Sequence, residues 1–419
     1  MSAGIALMVA ACRSNQSPPP PTLSYRAISF GGVAERTATG TFTAETGIRV
    51  VHEPMPESVS ERLALTRRLL ESRDFTTDVL LIDVTWPPML AEHLMDLQQA
   101  LPDRPRQHFP ALVANDTVQG RLVALPAYTD VGLLFYRTDL LAKYGYRGPP
   151  KTWEALEAAA ARIQAGERAA GNERFWGYVW EGAPGEALTC NALEWQASQG
   201  GGRIVEDDGR VTVDNPAAAF AFTRAARWVG TISPPGVVSF LEEDAREVWQ
   251  AGDAAFMRNW SYAFLPGQAA GSPIKGRFAV GHLPSGAAGA AHTLGGWQLA
   301  VSQYTRHPEE ALRFVRFMSG TQAQRIRVLN GWNIPTVQEL YEDGGLMRGD
   351  PRFTGLAELA HATVVARPSG PAGRAYSEVS SAYARTVHSI LTGEEKAGPA
   401  LAALQARLVG LLGRSPQSR

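Results

Sequence analysis

Three apolar runs of strand length, separated by two helical patterns, constrain this 419-residue chain more than any other feature. LSYRAISF, residues 23–30, reads as a buried strand, GGVAERTATGTFTAETG as a glycine turn entering a helix, and IRVVHE as the next strand. In ESVSERLALTRRLLES, Val59, Leu63, Thr66 and Leu70 recur at i, i+4, i+7 and i+11, which is one face of a helix. DVLLIDV, residues 78–84, is almost continuously apolar, as expected of a parallel strand covered on both sides. This alternation implies an α/β layer with a parallel sheet. Right-handed crossovers then place loops at the carboxyl ends of the strands, where open α/β sheets bind ligands.

A second unit follows. VGLLFYR (131–137), FWGYVW, AAFMRNW, RFAVGHL and TLGGWQLAVS read as strands. TWEALEAAAARIQAGER reads as a helix capped by Thr152, and DNPAAAFAFTRAARWVG as one capped by Asn215, with Pro216 in the first turn where its missing N–H costs no hydrogen bond. HPEEALRFVRFMSG, TQAQRIRVLNG, YSEVSSAYARTVHSIL and GPALAALQARLVGLL make the carboxyl end mostly helical. No short tandem repeat interrupts this pattern, so two α/β units with a helical tail remain.

A composition 45% apolar and 19% charged is that of a globular protein with ample core. The net charge of −1 and the absence of basic runs give no reason to expect nucleic acid. Lysine occurs only at 143, 151, 275 and 396, so arginine supplies nearly all the basic charge. Cys12 and Cys190 are far apart, which argues against a structural disulfide and excludes a cysteine metal site. No P-loop and no GxGxxG fingerprint is present, and the histidines lack close zinc-ligand spacing. Neither a cofactor nor a metal is expected.

Cys12 follows GIALMVAA, and Val9-Ala10-Ala11-Cys12 resembles the lipobox of a bacterial lipoprotein signal, although no Lys or Arg precedes the apolar run. The resemblance implies cleavage before Cys12 and a diacylglycerol on its thiol. RSNQSPPPPT would then be an extended tether between a membrane and the domain. No later segment reaches the roughly 18 apolar residues of a membrane span.

ALPAYTDVGLLFYRTDLLAKYG, TWEALEAAAARI, VTVDNPAAAFAF, AGDAAFMRNWSY, LGGWQLAVS, EEALRFVRFMSGTQAQRI and TGEEKAGPALAALQARL occur in an order and spacing that resembles the extracellular solute-binding proteins of ABC sugar importers. The similarity runs from about residue 25 to 410 and is greatest to the trehalose/maltose-binding branch. It implies a type II periplasmic-binding-protein-like fold, a Venus flytrap of two α/β lobes joined by three crossings near 127–130, 280–284 and 332–336. The expected organisation is a signal over 1–11 and a lipidated tether over 12–23. An N-terminal lobe would take 24–127 and 283–332, and a C-terminal lobe 131–279 and 336–419. The implied partners are a small-molecule sugar, the ABC permease and, through the lipid anchor, the outer side of the cytoplasmic membrane; a monomer is expected.

A neutral sugar offers hydroxyls that donate and accept, and ring faces of apolar C–H groups. Carboxylates, an arginine and flat aromatics would match it. On the residues, Asp130 is a hydroxyl acceptor or a turn cap, Asp83 a ligand group or a buried ion pair, and Glu35 a ligand group or a first-turn acid favoured by the helix dipole. The resemblance implies sugar contacts for Glu35, Tyr128, Asp130, Trp260, Trp297 and Arg367, while Asp83 is a candidate because it ends a strand where a parallel sheet opens into its ligand crevice. Gly295 and Gly296 are read as letting the backbone approach a ligand closely. Trp86 and Trp332 are weaker platform candidates, while Trp153, Trp176, Trp195, Trp228 and Trp249 read as packing. Two rival readings stay open. One is a lipid-anchored glycosidase using Glu35, Asp83 and Asp130, which would need two carboxyls about 5–9 Å apart. The other is the same fold binding a phosphodiester, a peptide or an oligosaccharide.

Overall fold

The computed structural model describes residues 21–27, 32–342, 346, 353 and 363–413. Cys12, its lipobox and the tether up to residue 20 lie outside the described residues, as do residues 28–30 of the first strand pattern.

Two sheets organise the chain. The first contains β1 (Thr22–Arg26), β2 (Arg49–Glu53) and β3 (Val79–Asp83), with β1 parallel to both of the others. Helices α1 (Gly32–Thr46) and α2 (Val59–Glu71) connect them. Leu63, Thr66 and Leu70 are buried, as the periodicity of α2 predicts. All five residues of β3 are buried, in keeping with its continuous apolar run. A short β4 (Thr117–Val118) and β5 (Arg121–Leu122) form a separate two-stranded ribbon.

The segment expected as one strand over 131–137 is divided. Val131 ends β6 (Leu125–Val131), and Leu133 opens β7 (Leu133–Arg137) in the second sheet. Gly132 lies between them, where an added Cβ would run into the Glu194 carboxylate and the Arg258 guanidinium. The second sheet orders β10 (Phe278–Gly281), β7, β9 (Ala254–Asn259) and β8 (Trp176–Val179). Only β8 and β9 run parallel here, so this sheet is mostly antiparallel. The chain then returns to the first sheet: β11 (His292–Val301) inserts antiparallel between β3 and β6, and its first residues pair with β12 (Val364–Val365).

Around the second sheet pack α3 (Trp153–Ala169), α4 (Glu186–Ser198), α5 (Pro216–Trp228) and α6 (Glu242–Gln250). Thr152 and Asn215 cap α3 and α5 by accepting from Ala155 and Ala218 amides. Trp153, Trp180, Trp195 and Trp228 form one buried cluster of indoles 5.0–5.6 Å apart, mostly edge to face. Helices α7 (Pro308–Met318) and α8 (Thr321–Gly331) cover the first lobe against α1. The tail helices α9 (Tyr376–Leu391) and α10 (Ala397–Gly413) pack on α4 and α5.

Among the described residues, the stretches 131–133, 281–292 and 331–337 pass between the lobes. His292 ties the first two, its buried ring bonding the Gly132 carbonyl through Nδ1 at 2.7 Å and His282 through Nε2 at 3.2 Å. In the third, Trp332 adopts the left-handed conformation (φ 56°) and stacks on Phe264 of the second lobe at 4.3 Å. The Thr129 amide donates to Ile334 at 2.9 Å. No helix among the described residues is long and apolar enough to cross a membrane.

Candidate functional site

A cleft of about 340 Å³ opens where the two sheets meet. Asp83, Tyr128, Asp130, Gly295, Gly296, Trp297 and Arg367 come to its wall from the first lobe and the tail, and Trp260 from the second.

Asp83 ends β3, and its register partner on β11 is Trp297. Its Oδ1 accepts from the Thr85 amide (2.9 Å) and hydroxyl (2.7 Å), and lies 3.0 Å from Arg367 Nη2. Arg367 also donates to Glu186 at 2.7 Å and to the Leu294 carbonyl at 3.3 Å. Burial works against its charge, but the groups around it, Asp83 first among them, more than offset that and hold its pKa further up. Arg367 Nε has no hydrogen-bond partner among the described residues. Glu186, in the first turn of α4, accepts in addition from Ser380 (2.7 Å) and from the Tyr376 hydroxyl.

Asp130 joins the lobes. It lies on β6 of the first sheet, and its carboxylate accepts from the amide (3.2 Å) and hydroxyl (2.9 Å) of Ser261, just beyond β9 of the second. The Val131 amide completes its shell at 2.9 Å. Burial pushes its pKa up to about 7, against the pull of the Ser261 bonds. Tyr128, two residues earlier, is buried, and burial raises its phenol well above the usual value.

Two half-buried indoles face the cleft. Trp297 projects from β11, packs edge-on against Trp86 at 5.9 Å and lies 5.5 Å from the Arg62 guanidinium. Trp260 covers Arg258 at 4.0 Å. Arg258 is itself fully buried with Glu194 (2.6 Å) and Glu181 (3.4 Å), and burial lifts Glu181 to about 7 despite the nearby guanidinium. Both glycines lie on the cleft wall, and packing also constrains them. A Cβ on Gly295 would stand 2.7 Å from the Trp260 ring, and one on Gly296 (φ +126°) would stand 2.7 Å from the Tyr128 carbonyl oxygen.

Glu35 is the correction. It lies outside the cleft wall, 3% exposed, bound to Arg327 at 2.6 Å and accepting from Tyr25 at 3.2 Å. Its carboxylate neutralises a fully buried arginine from α8, a partner 292 positions away that no local pattern reveals. Trp86 and Trp332 are buried beside the site rather than on its wall. Sequence reasoning passed over Glu186, Glu242, Tyr262 and Asn333, all on the wall. Glu186 and Glu242 begin helices, where an acid is favoured whatever its role, so only the shared position at helix starts facing the crevice could have marked them. Among the described residues no cluster of His, Cys, Asp and Glu could hold a metal ion.

The model for bacterial extracellular solute-binding proteins matches residues 29–325. The chain belongs to that family. This solute-binding protein is 44% identical over 397 residues to a probable ABC transporter-binding protein of Deinococcus radiodurans, covering 94% of each chain. In three dimensions it resembles maltose-bound MalE3 of T. maritima, with a TM-score of 0.87, 33% identity, and coverage of 93% of this chain and 100% of the other. A Thermotoga lettingae solute-binding protein bound to α-D-tagatose superposes with a TM-score of 0.82 over 95% of this chain and all of that one. At 23% identity that likeness speaks for the fold alone. The architecture is therefore the two-lobed type II periplasmic-binding-protein fold.

Proposed function

We propose that this solute-binding protein captures a neutral sugar, a disaccharide such as maltose or trehalose, between its lobes and delivers it intact to an ABC permease. The observation that carries the reading is that Trp297 from one sheet and Trp260 from the other line a single cleft together with buried acids and Arg367. Indoles match the C–H faces of sugar rings, and charged acceptors match hydroxyls. The maltose bound to the similar MalE3 supports the same ligand class.

Capture works by closure. Contacts from both lobes are complete only when the cleft is shut, so a bridging ligand shifts the population toward the shut form. The three crossings at 131–133, 281–292 and 331–337 act as the hinge. A disaccharide has about 23 heavy atoms, which at roughly −0.3 kcal/mol per atom gives about −7 kcal/mol, or micromolar affinity. Lipidation at Cys12 would hold the monomeric protein at the outer face of the membrane.

Thermal denaturation with increasing maltose, trehalose, sucrose or glucose tests the proposal, because a ligand selective for the native form raises apparent stability with its concentration. A saturating rise with at least one of them, accompanied by compaction in small-angle scattering, is expected. No shift with any of the four overturns the sugar reading, and release of free monosaccharide from a disaccharide overturns delivery of intact cargo.

A further inference from the structure

Among the described residues four carboxylates reach the cleft, and three are already committed to protein donors. Asp83 is held by Thr85 and Arg367, Glu186 by Arg367, Ser380 and Tyr376, and Asp130 by Ser261 and Val131. The fourth is Glu242, the first residue of α6, 7% exposed and on the cleft wall. Beyond its own backbone amide, its carboxylate has no hydrogen-bond or ion-pair partner among the described residues. An ionised carboxylate has about four acceptor positions, and leaving them unfilled in a buried setting is unfavourable.

The surroundings keep the charge tolerable without satisfying it. Burial raises the Glu242 pKa; its own amide, Arg62 on α2 across the cleft and Arg258 on β9 pull it down, while Glu243 pushes it up. Tyr262, next along the wall, spends its hydroxyl on Glu243 at 2.6 Å. The position at the amino end of a nine-residue helix adds a favourable dipole. What the carboxylate lacks among the described residues is donors beyond that amide, and the open side from which they can come is the cleft.

Resting on the sugar reading above, we infer that Glu242 is the specificity-determining acceptor of the cleft. It takes hydrogen bonds from hydroxyls of the sugar ring lodged against α6. By like-charge repulsion it excludes rings bearing a phosphate or carboxylate at that end. The ligand class is thereby narrowed to neutral sugars.

Calorimetric titration of maltose and trehalose into the full protein and into Glu242→Gln at about pH 8 tests this, with unliganded melting points measured alongside. A hydrogen bond to a charged group is worth roughly 1.5–3 kcal/mol, so affinity should fall at least about tenfold in Glu242→Gln. Its unliganded melting point should hold or rise, since a buried charge without donors has been neutralised; a purely structural acid would give the opposite. Glu242→Gln binding within about twofold of the natural protein overturns the inference while leaving the sugar reading intact. Failure of the natural protein to bind any of the four sugars overturns both.

Discussion

The guanidinium carbon of Arg258 lies 4.0 Å from the centroid of the Trp260 ring, so one face of the indole rests on a buried cation while the residue lines the cleft. Arg258 is anchored in turn by Glu194 and Glu181, all three without measurable exposure. Removing the cation alone, in Arg258→Met, leaves two buried acids facing each other. Stability should fall by about 3–5 kcal/mol in urea denaturation. Maltose binding should weaken too, because the Trp260 platform loses its support.

Gly295 and Gly296 separate two kinds of constraint. In Gly295→Ala the new methyl comes nearest to the Trp260 ring, a side chain that can swing away. Affinity for maltose should drop by about tenfold or more in titration calorimetry, with less than about 1 kcal/mol lost in stability. In Gly296→Ala the methyl meets backbone, at a φ of +126° that residues with a Cβ rarely adopt. Here stability itself should fall by about 1–3 kcal/mol in the same urea assay.

Asp116 gives a pH signature remote from the cleft. It is fully buried, its Oδ2 has no partner among the described residues, and burial raises its pKa to about 8 against a weak pull from Asn115. A raised folded-state pKa means that the native protein holds the proton more tightly than the unfolded chain. Its contribution is therefore fully present below the unfolded value near 4 and is lost as pH rises through about 8. Asp116→Asn should be more stable than the natural protein at about pH 9, by on the order of 1–3 kcal/mol, and the gap should shrink toward about pH 4. Denaturation curves at the two pH values check both the sign and the trend.

Glu35 tests the correction to its assignment. Glu35→Ala leaves Arg327 buried with no carboxylate, so a stability loss of about 3–5 kcal/mol is expected in denaturant. The affinity of the folded fraction for maltose should stay within about threefold, because the residue is not on the cleft wall. A selective loss of affinity at unchanged stability would return Glu35 to the binding site.

Local pattern made the elements legible and left their partners hidden. β3 and α2 could be read because their burial follows a period of their own, and Thr152 and Asn215 because a cap acts within three residues. The insertion of β11 between β3 and β6 depends on pairing about 170–220 residues apart in sequence, which no window detects. Among site candidates, Asp83, Trp260, Trp297 and Arg367 reach the cleft wall, whereas Glu35 is claimed by an arginine from a distant helix. Glu242 went unnoticed because EEDAREVW reads equally well as an ordinary acidic helix start.

The His292 ring fastens two of the ribbons that run between the lobes, through Gly132 on one side and His282 on the other. Those ribbons cannot slide past each other without breaking that fastening, so they must flex as a single leaf. In the proposed closure, movement of the jaws would thereby be channelled into one swing that brings the two indole-bearing walls back to the same register each time.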